Sequence, residues 1–397
     1  MIYTDNAATT PLSREVLDEM MPYLTEHYGN ASSIYKIGRE SKSAIEGARE
    51  KIASLLGAKT NEIYFTGSGS EGDNWAIKGV AYANEKKGKH IITSAIEHHA
   101  VLHTCQFLEK QGFKVTYLPV DEYGLVSPED LKNAITDETI LVTIMLANNE
   151  IGTIEPIREL ADIAHEKKII FHTDAVQAVG HIPVNVNDLG VDLLTASAHK
   201  FEGPKGVGML YIKNGTRITQ FMHGGAQERG KRASTENVAG IIGLAKALEI
   251  ACENMDENVK KITRLRDMFI SQVLEKIPHC RLNGHPEKRL PGNCNISFLF
   301  IEGESLLLSL DMKGIAASSG SACTSGSLDP SHVLLGIGLE HGVAHGSLRV
   351  TLSHRNTEDE INEIVNALVE IVQRLRNMSP LYEDYLNGKN PYKTITL

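Results

Sequence analysis

Three groups of residues in this sequence have types and spacings that could do chemistry. Phe171-His172-Thr173-Asp174-Ala175-Val176-Gln177 places an acid at the carboxyl end of an apolar run, and Ser197-Ala198-His199-Lys200 places a lysine after the next run. In an open α/β sheet that edge is where ligands bind. Gly67-Ser68-Gly69-Ser70-Glu71-Gly72 follows an apolar run and precedes a helical pattern over Asp73–Ala83, which predicts a phosphate cradle at a helix N-terminus. The same loop fits the G-x-G-x-x-G spacing of dinucleotide-binding proteins, so a nicotinamide oxidoreductase stands as one alternative. The third group surrounds Cys323, where Ser318-Ser319-Gly320-Ser321-Ala322-Cys323-Thr324-Ser325-Gly326 has the composition of a loop with little to bury a thiol.

Taken singly, a strand-end Asp or Lys reads as a solvated charge and a short glycine motif as a tight turn. Together, a lysine, an acid and a phosphate cradle at strand ends are what pyridoxal phosphate requires. The amine forms a Schiff base, and the acid pairs with the pyridinium nitrogen to keep the ring an electron sink.

Elements of alternating type must bring these groups to one edge. From about Glu15 to Ala251, β-branched apolar runs occur at Ile63–Phe65, Ile91–Thr93, Val115–Val120, Ile140–Leu146, Ile169–His172, Val191–Thr195 and Val207–Ile212. Between them lie helical stretches such as Ile157–Lys167, where Leu160, Ile163 and Ala164 share one face. Ser127-Pro128-Glu129-Asp130 predicts an N-cap, a first-turn proline and acids facing the helix dipole. This alternation predicts an α/β domain with a mostly parallel, covered sheet. A long amphipathic pattern over Asp256–Ile277 follows, then strand-like runs at Cys294–Phe300 and Leu348–Leu352. A last helix opens with Thr357 and Glu360 as a capping box. These predict a smaller α+β domain. Residues 15–257 are expected to form the large unit, and 1–14 with 258–397 the small one. The tail after Pro380 is expected to serve in contacts.

At 397 residues the chain exceeds what one core usually holds. Its net charge of −10 speaks against general nucleic-acid binding. Met1–Pro11 lacks a basic start and apolar run, and no window approaches the ~20 apolar residues of a spanning helix. A cytoplasmic protein without membrane contact is therefore expected. Five cysteines at wide spacings, with no Cys-x-x-Cys, argue against a disulfide framework or a structural zinc site. Cys105, Cys252, Cys280 and Cys294 sit in apolar or helical surroundings and read as small buried hydrophobes.

With Glu97-His98-His99-Ala100-Val101, Ala147-Asn148-Asn149-Glu150, Gly203-Pro204-Lys205-Gly206 and Arg232-Ala233-Ser234-Thr235-Glu236-Asn237, the sequence resembles the class V pyridoxal-phosphate enzymes. Within them it is similar to the NifS/IscS-like cysteine desulfurases, from Tyr3-Thr4-Asp5-Asn6-Ala7-Ala8-Thr9-Thr10 to Ser379. The resemblance implies the type I fold of pyridoxal-phosphate-dependent transferases. It implies that Lys200 carries the cofactor and shuttles the α-proton, that Asp174 holds the pyridinium proton, and that Gln177 bonds the ring oxygen. His98 would stack on the ring and act as acid and base. Gly69, Ser70, Ser197 and His199 would bind the phosphate, with Thr235 reaching that of the partner subunit in a homodimer. Asn149 and Arg349 would bind the substrate carboxylate, for which a bidentate guanidinium is suited. The Cys323 loop looks like that of the class I desulfurases. Its thiolate would take sulfur from L-cysteine as a persulfide and carry it to an iron–sulfur scaffold of the IscU/NifU type, where Cys323 could serve transiently as a cluster ligand. His99 and His103 lack a match and read as structural.

The sequence departs from the family in several places. Gly and Ser are exchanged in the phosphate loop. Ala31 stands where proline is usual and Tyr35 where histidine is. Ser234 replaces the glycine before Thr235, and Glu202 occupies a position where Tyr, His or Gly is commoner. The other readings weighed are a selenocysteine lyase or related β-eliminating lyase, and a catalytically silent paralogue.

Overall fold

Apolar runs in this chain are continuous rather than alternating, which is the pattern of strands covered on both faces. The computed structural model describes residues 1–319, 330–389 and 391–392. Its strands are β1 (Ile2–Tyr3), β2 (Ile63–Thr66), β3 (His90–Ser94), β4 (Lys114–Leu118), β5 (Thr139–Thr143), β6 (Ile170–Asp174), β7 (Leu193–Ser197), β8 (Gly208–Ile212), β9 (Cys280–Asn283), β10 (Asn293–Phe298), β11 (Ile315–Ala316) and β12 (Ser347–Thr351). Seven of them form one sheet in the order β2-β8-β7-β6-β5-β3-β4. β8 is antiparallel to both of its neighbours, and the remaining pairs are parallel. The sheet is mixed and mostly parallel, as the alternation of elements predicts.

Successive side chains on a strand point to opposite faces, and here each face has its own core. Ile92, Val142, Leu194 and Tyr211 pack on one side with Ile45, Ile52, Leu160 and Leu244. Their neighbours Ile91, Leu141, Leu193 and Leu210 pack on the other with Trp75, Val80, Val101 and Leu108. A second, antiparallel sheet, ordered β12-β10-β9, carries the helices Met255–Lys276 and Glu358–Asn377. These bury Leu265, Phe269, Val273, Ile361, Ile364 and Leu368 against Ile296 and Leu348. The chain's beginning joins this second core: β1 pairs in parallel with β11, and Ile2 packs in the same cluster.

The predicted caps form. The Ser127 hydroxyl accepts from the Asp130 amide, and Thr357 and Glu360 make a reciprocal capping box. Strand ends differ from the sequence reading. β5 stops at Thr143 because beyond it the Met145 amide bonds the Glu97 side chain instead of a strand carbonyl, and Ala147 bridges Ile154, although the Leu146 amide still reaches the Asp174 carbonyl of β6. β4 stops at Leu118, and Val120 makes an isolated bridge to Val126. The tail packs on its own chain: Tyr382, Tyr385 and Tyr392 surround Phe300, and the Phe300 amide donates to the Tyr392 hydroxyl at 2.9 Å. Among the described residues no helix is long and apolar enough to cross a membrane.

One buried ion pair ties the loop before Thr235 to the sheet. Arg49 donates to both oxygens of Glu228, at 2.8 and 2.9 Å, and Glu228 also accepts the Phe65 amide of β2. Both side chains are about 5% exposed, whereas Glu46, Arg49's other partner, is 48% exposed. Removing one member of a buried pair leaves an uncompensated charge, so Glu228→Ala is expected to cost about 3–5 kcal/mol. Glu46→Ala is expected to cost under about 1 kcal/mol. Chemical denaturation of the two variants checks the contrast, and equal losses would contradict it.

Candidate active site

Because β5, β6 and β7 are parallel, their carboxyl ends share one edge, and the predicted acid and lysine meet there. Asp174 is the last residue of β6 and is 5% exposed. Its Oδ1 accepts the Val176 amide at 2.9 Å. Burial pushes this carboxyl up to about 6, against the pull of that amide and of the Lys200 ammonium. Lys200 closes the short helical turn Ala198–Lys200 after β7, and its Nζ donates to the carbonyls of Ala7 (2.5 Å) and Ala8 (2.9 Å). Gln177 donates to the same Ala7 carbonyl at 2.9 Å, and His199 Nδ1 lies 3.2 Å from the Thr9 hydroxyl. The N-terminal segment is thus held by residues from two strand ends.

His98 is the N-cap of the helix His99–Glu109; its Nδ1 accepts from the Ala100 amide at 3.1 Å. Burial, helped by the Lys200 charge, pushes His98 down to about 4, so the ring is neutral at pH 7. Polar atoms of His98, Asp174 and Asp73 lie within 4.8 Å of one another. His99 and His103 do not join this group. Their rings pack 4.9 Å apart, with His332 4.8 Å from His99.

The glycine loop opens the helix Gly69–Asn84, four residues earlier than its helical pattern suggests, because Ser68 caps it by accepting the Glu71 amide. Glu71 in turn accepts the Gly67 amide and two bonds from Arg232. A Cβ on Gly69 would meet Val176 Cγ2 at 2.7 Å and Ser197 Cβ at 3.5 Å, so only glycine lets the loop lie against the ends of β6 and β7. Gly69 and Ser197 are therefore neighbours, with the Ser70 side exposed. Thr235 is exposed in a cleft beside Gly67 and Arg232. The preceding Ser234 has φ 115°, and Glu202 has φ 63°. Both angles favour glycine, which accounts for glycine being usual or common at these two positions.

Arg349, on β12, is 3% exposed. It donates to the Asn149 carbonyl at 3.0 Å and to Asp5 Oδ1 at 2.9 Å, which brings the two predicted carboxylate-binding residues together. The backbone of Arg349 also exchanges two hydrogen bonds with Ser318. Cys323 lies outside the described residues. Sequence reasoning missed Asp5, Ala7 and Ala8 as anchors, and it missed Asp73, a fully buried acid whose only signal is its place on the apolar side of its helix, level with Ala76 and Ile77. A buried acid, a lysine three residues past a strand, a glycine-tight helix start and a buried arginine fit a phosphorylated pyridine aldehyde and an amino-acid carboxylate.

A model of the class-V aminotransferase family matches residues 2–364. The chain belongs to the class-V aminotransferase family. Pyridoxal phosphate is the cofactor of this class-V enzyme. The chain is 60% identical over 390 residues to the cysteine desulfurase IscS of Clostridium botulinum, covering 98% of each. A solved NifS-like protein matches at 41% identity and a TM-score of 0.89, covering 94% of this chain and all of that one. A structure of SspA in complex with cysteine matches this class-V chain at 36% identity and a TM-score of 0.79, covering 89% and 99%.

The other thiols of this class-V enzyme are poor nucleophiles. Burial pushes Cys105 and Cys294 up to about 12 and Cys280 up to about 11, and it raises Cys252 as well. The thiolate is the reactive form. Limited alkylation of the native protein at pH 8, read by peptide mass spectrometry, is therefore expected to label Cys323 at least tenfold faster than any of these four. Faster labelling of Cys252 or Cys280 would contradict it.

Proposed function

We propose that the chain is a cysteine desulfurase that converts L-cysteine to L-alanine and takes the sulfur on Cys323. The observation that carries this reading is the pairing of Ser318 with Arg349. Ser318, five residues before Cys323 in the sequence, pairs with the arginine suited to the substrate carboxylate.

In this reading Arg349 and Asn149 hold the carboxylate of L-cysteine, and Lys200 binds the cofactor and moves the proton at the α-carbon. Asp174 would pair with the pyridine nitrogen, Gln177 would bond the ring oxygen and His98 would stack on the ring, while Gly69, Ser70, Ser197 and His199 would hold the phosphate. Bound pyridoxal phosphate supplies an electron sink for the substrate's α-carbon. The neutral His98 ring is placed to accept or return a proton near the leaving sulfur. The Cys323 thiolate attacks that sulfur, so an S–S bond forms as the C–S bond breaks. The electron pair of the C–S bond stays with carbon, and a proton completes alanine.

Residues 15–257 would act as the cofactor-holding unit, and 1–14 with 258–397 as the unit that presents Cys323. The exposed Thr235 suits a phosphate on a second copy, giving a two-fold homodimer with composite sites. An iron–sulfur scaffold protein would receive the persulfide sulfur, with Cys323 as a transient cluster ligand, in the cytoplasm.

Two variants separate the halves of the reaction. Lys200→Ala is expected to lose the covalent cofactor and essentially all alanine production. Cys323→Ala is expected to keep the cofactor absorbance and its response to L-cysteine while alanine release falls by at least a hundredfold. Visible spectra recorded beside alanine assays check both. Wild-type alanine release from Cys323→Ala would make Cys323 a plain loop residue and favour a selenocysteine lyase. Light scattering is expected to show a dimer at assay concentration, and an active monomer would remove the role given to Thr235.

A further inference from the structure

Asp73 is used by none of the steps above, yet it is 1% exposed and lies within 4.8 Å of Asp174. Its Oδ1 has no hydrogen-bond partner among the described residues. Its carboxyl shares a 4.8 Å cluster with Asp174 and His98, and Glu97 adds a further acid close enough to repel it. Two buried carboxyls this close cannot both carry charge, because each is desolvated and each repels the other. One proton must therefore reside on the pair.

The surroundings say which acid keeps it. Asp174 has the Val176 amide and the Lys200 charge to stabilise an anion. Asp73 has the hydroxyl of Thr195, and beyond it a neutral histidine rather than a cation. Burial pushes His172 far down, to about 3, so it offers one donor and one acceptor. Its Nδ1 lies 2.8 Å from the Thr143 hydroxyl and its Nε2 lies 3.0 Å from that of Thr195, with Asp73 Oδ1 at 3.7 Å. The row can run in either direction, and in one of the two Thr143 donates to His172, His172 to Thr195, and Thr195 to Asp73, which leaves the proton of Asp73 free to point at Asp174.

We propose that Asp73 is a positioning residue of the cofactor site, a neutral carboxylic acid whose O–H bonds the Asp174 carboxylate and holds the negative charge on it. This rests on the reading of Asp174 as the partner of the pyridine nitrogen. Asp73 touches neither cofactor nor substrate; it acts through Asp174. What matters at position 73 is a hydrogen-bond donor, not a charge.

The test uses the full-length protein with pyridoxal phosphate, comparing wild type with Asp73→Asn, Asp73→Leu and Thr195→Val. Cofactor dissociation constants, cofactor absorbance from pH 6 to 9 and melting of each apo-protein are measured. Asp73→Asn retains a donor and is expected to bind the cofactor within about threefold of wild type, with an unmoved absorbance titration. Asp73→Leu is expected to bind it roughly tenfold or more weakly, the scale of one hydrogen bond to a charged group, and to shift that titration. If Asp73→Asn were as defective as Asp73→Leu, a charge at 73 would be required and the proposal would fall. It would fall equally if Asp73→Leu matched wild type. Should Asp73→Leu not fold, Thr195→Val decides, because it frees the Asp73 carboxyl to turn away from Asp174. A shifted titration in Thr195→Val supports the proposal, and an unmoved one overturns it. Wild-type protein that takes up no cofactor would instead defeat the underlying reading, and that result is visible before any variant is compared.

Discussion

A carboxylate taken out of water costs several kcal/mol unless donors or opposite charge replace its hydration. Asp174 is in that position, and much of the surrounding architecture follows from keeping it ionised. A parallel sheet is suited to the task because its strands end together, so the backbone amide of Val176 and the ammonium of Lys200 arrive at the same edge without a long loop. The cost of leaving so much polarity inside is visible in the layer below, where Thr143, His172, Thr195 and Asp73 form a row of buried groups that must satisfy one another. The apolar cores on both faces of the sheet make this row dry, and dryness is what makes each of its hydrogen bonds consequential.

The site is also built from both ends of the chain. Asp5 meets Arg349, the carbonyls of Ala7 and Ala8 receive Lys200, and Thr351 and Thr4 share backbone and side-chain bonds. Small movements between the two sheets would therefore be felt at the lysine and at the arginine together. Glu202 adds a second tie, with both oxygens bonded by Arg355 at 2.8 and 2.7 Å, so the lysine turn is linked to the strand end after β12 from two sides.

Much of this could be read from residue types. The apolar runs located every strand of the large sheet, the capping box placed the last helix, and Lys200 and Asp174 were recognisable by their positions after strands. What escaped depends on partners far away in sequence. That β8 runs antiparallel is set by its neighbours, since its composition is that of any buried strand. The early end of β5 reflects the bond that the Met145 amide makes to the side chain of Glu97. The dinucleotide spacing of the glycine loop was misleading because Gly69, the second of its glycines, lies inside the helix and serves contact with Val176 and Ser197. Asp73 looks like an ordinary helical acid until its neighbour is known to be another acid. Cys323 lies outside the described residues, so its role rests on composition and resemblance.

The pairing of β1 with β11 has a consequence in time. Thr4 and Ala316, joined by a hydrogen bond, are 312 residues apart. At about 5–20 residues per second, synthesis leaves the N-terminal strand waiting roughly a quarter of a minute to a minute for its partner. Through that interval the large sheet can form and present Lys200 and Gln177 to Ala7 and Ala8, but Asp5 has no Arg349 to meet. A nascent chain can therefore be largely folded and still lack an active site, which becomes complete only when the last third leaves the ribosome and captures the first few residues made.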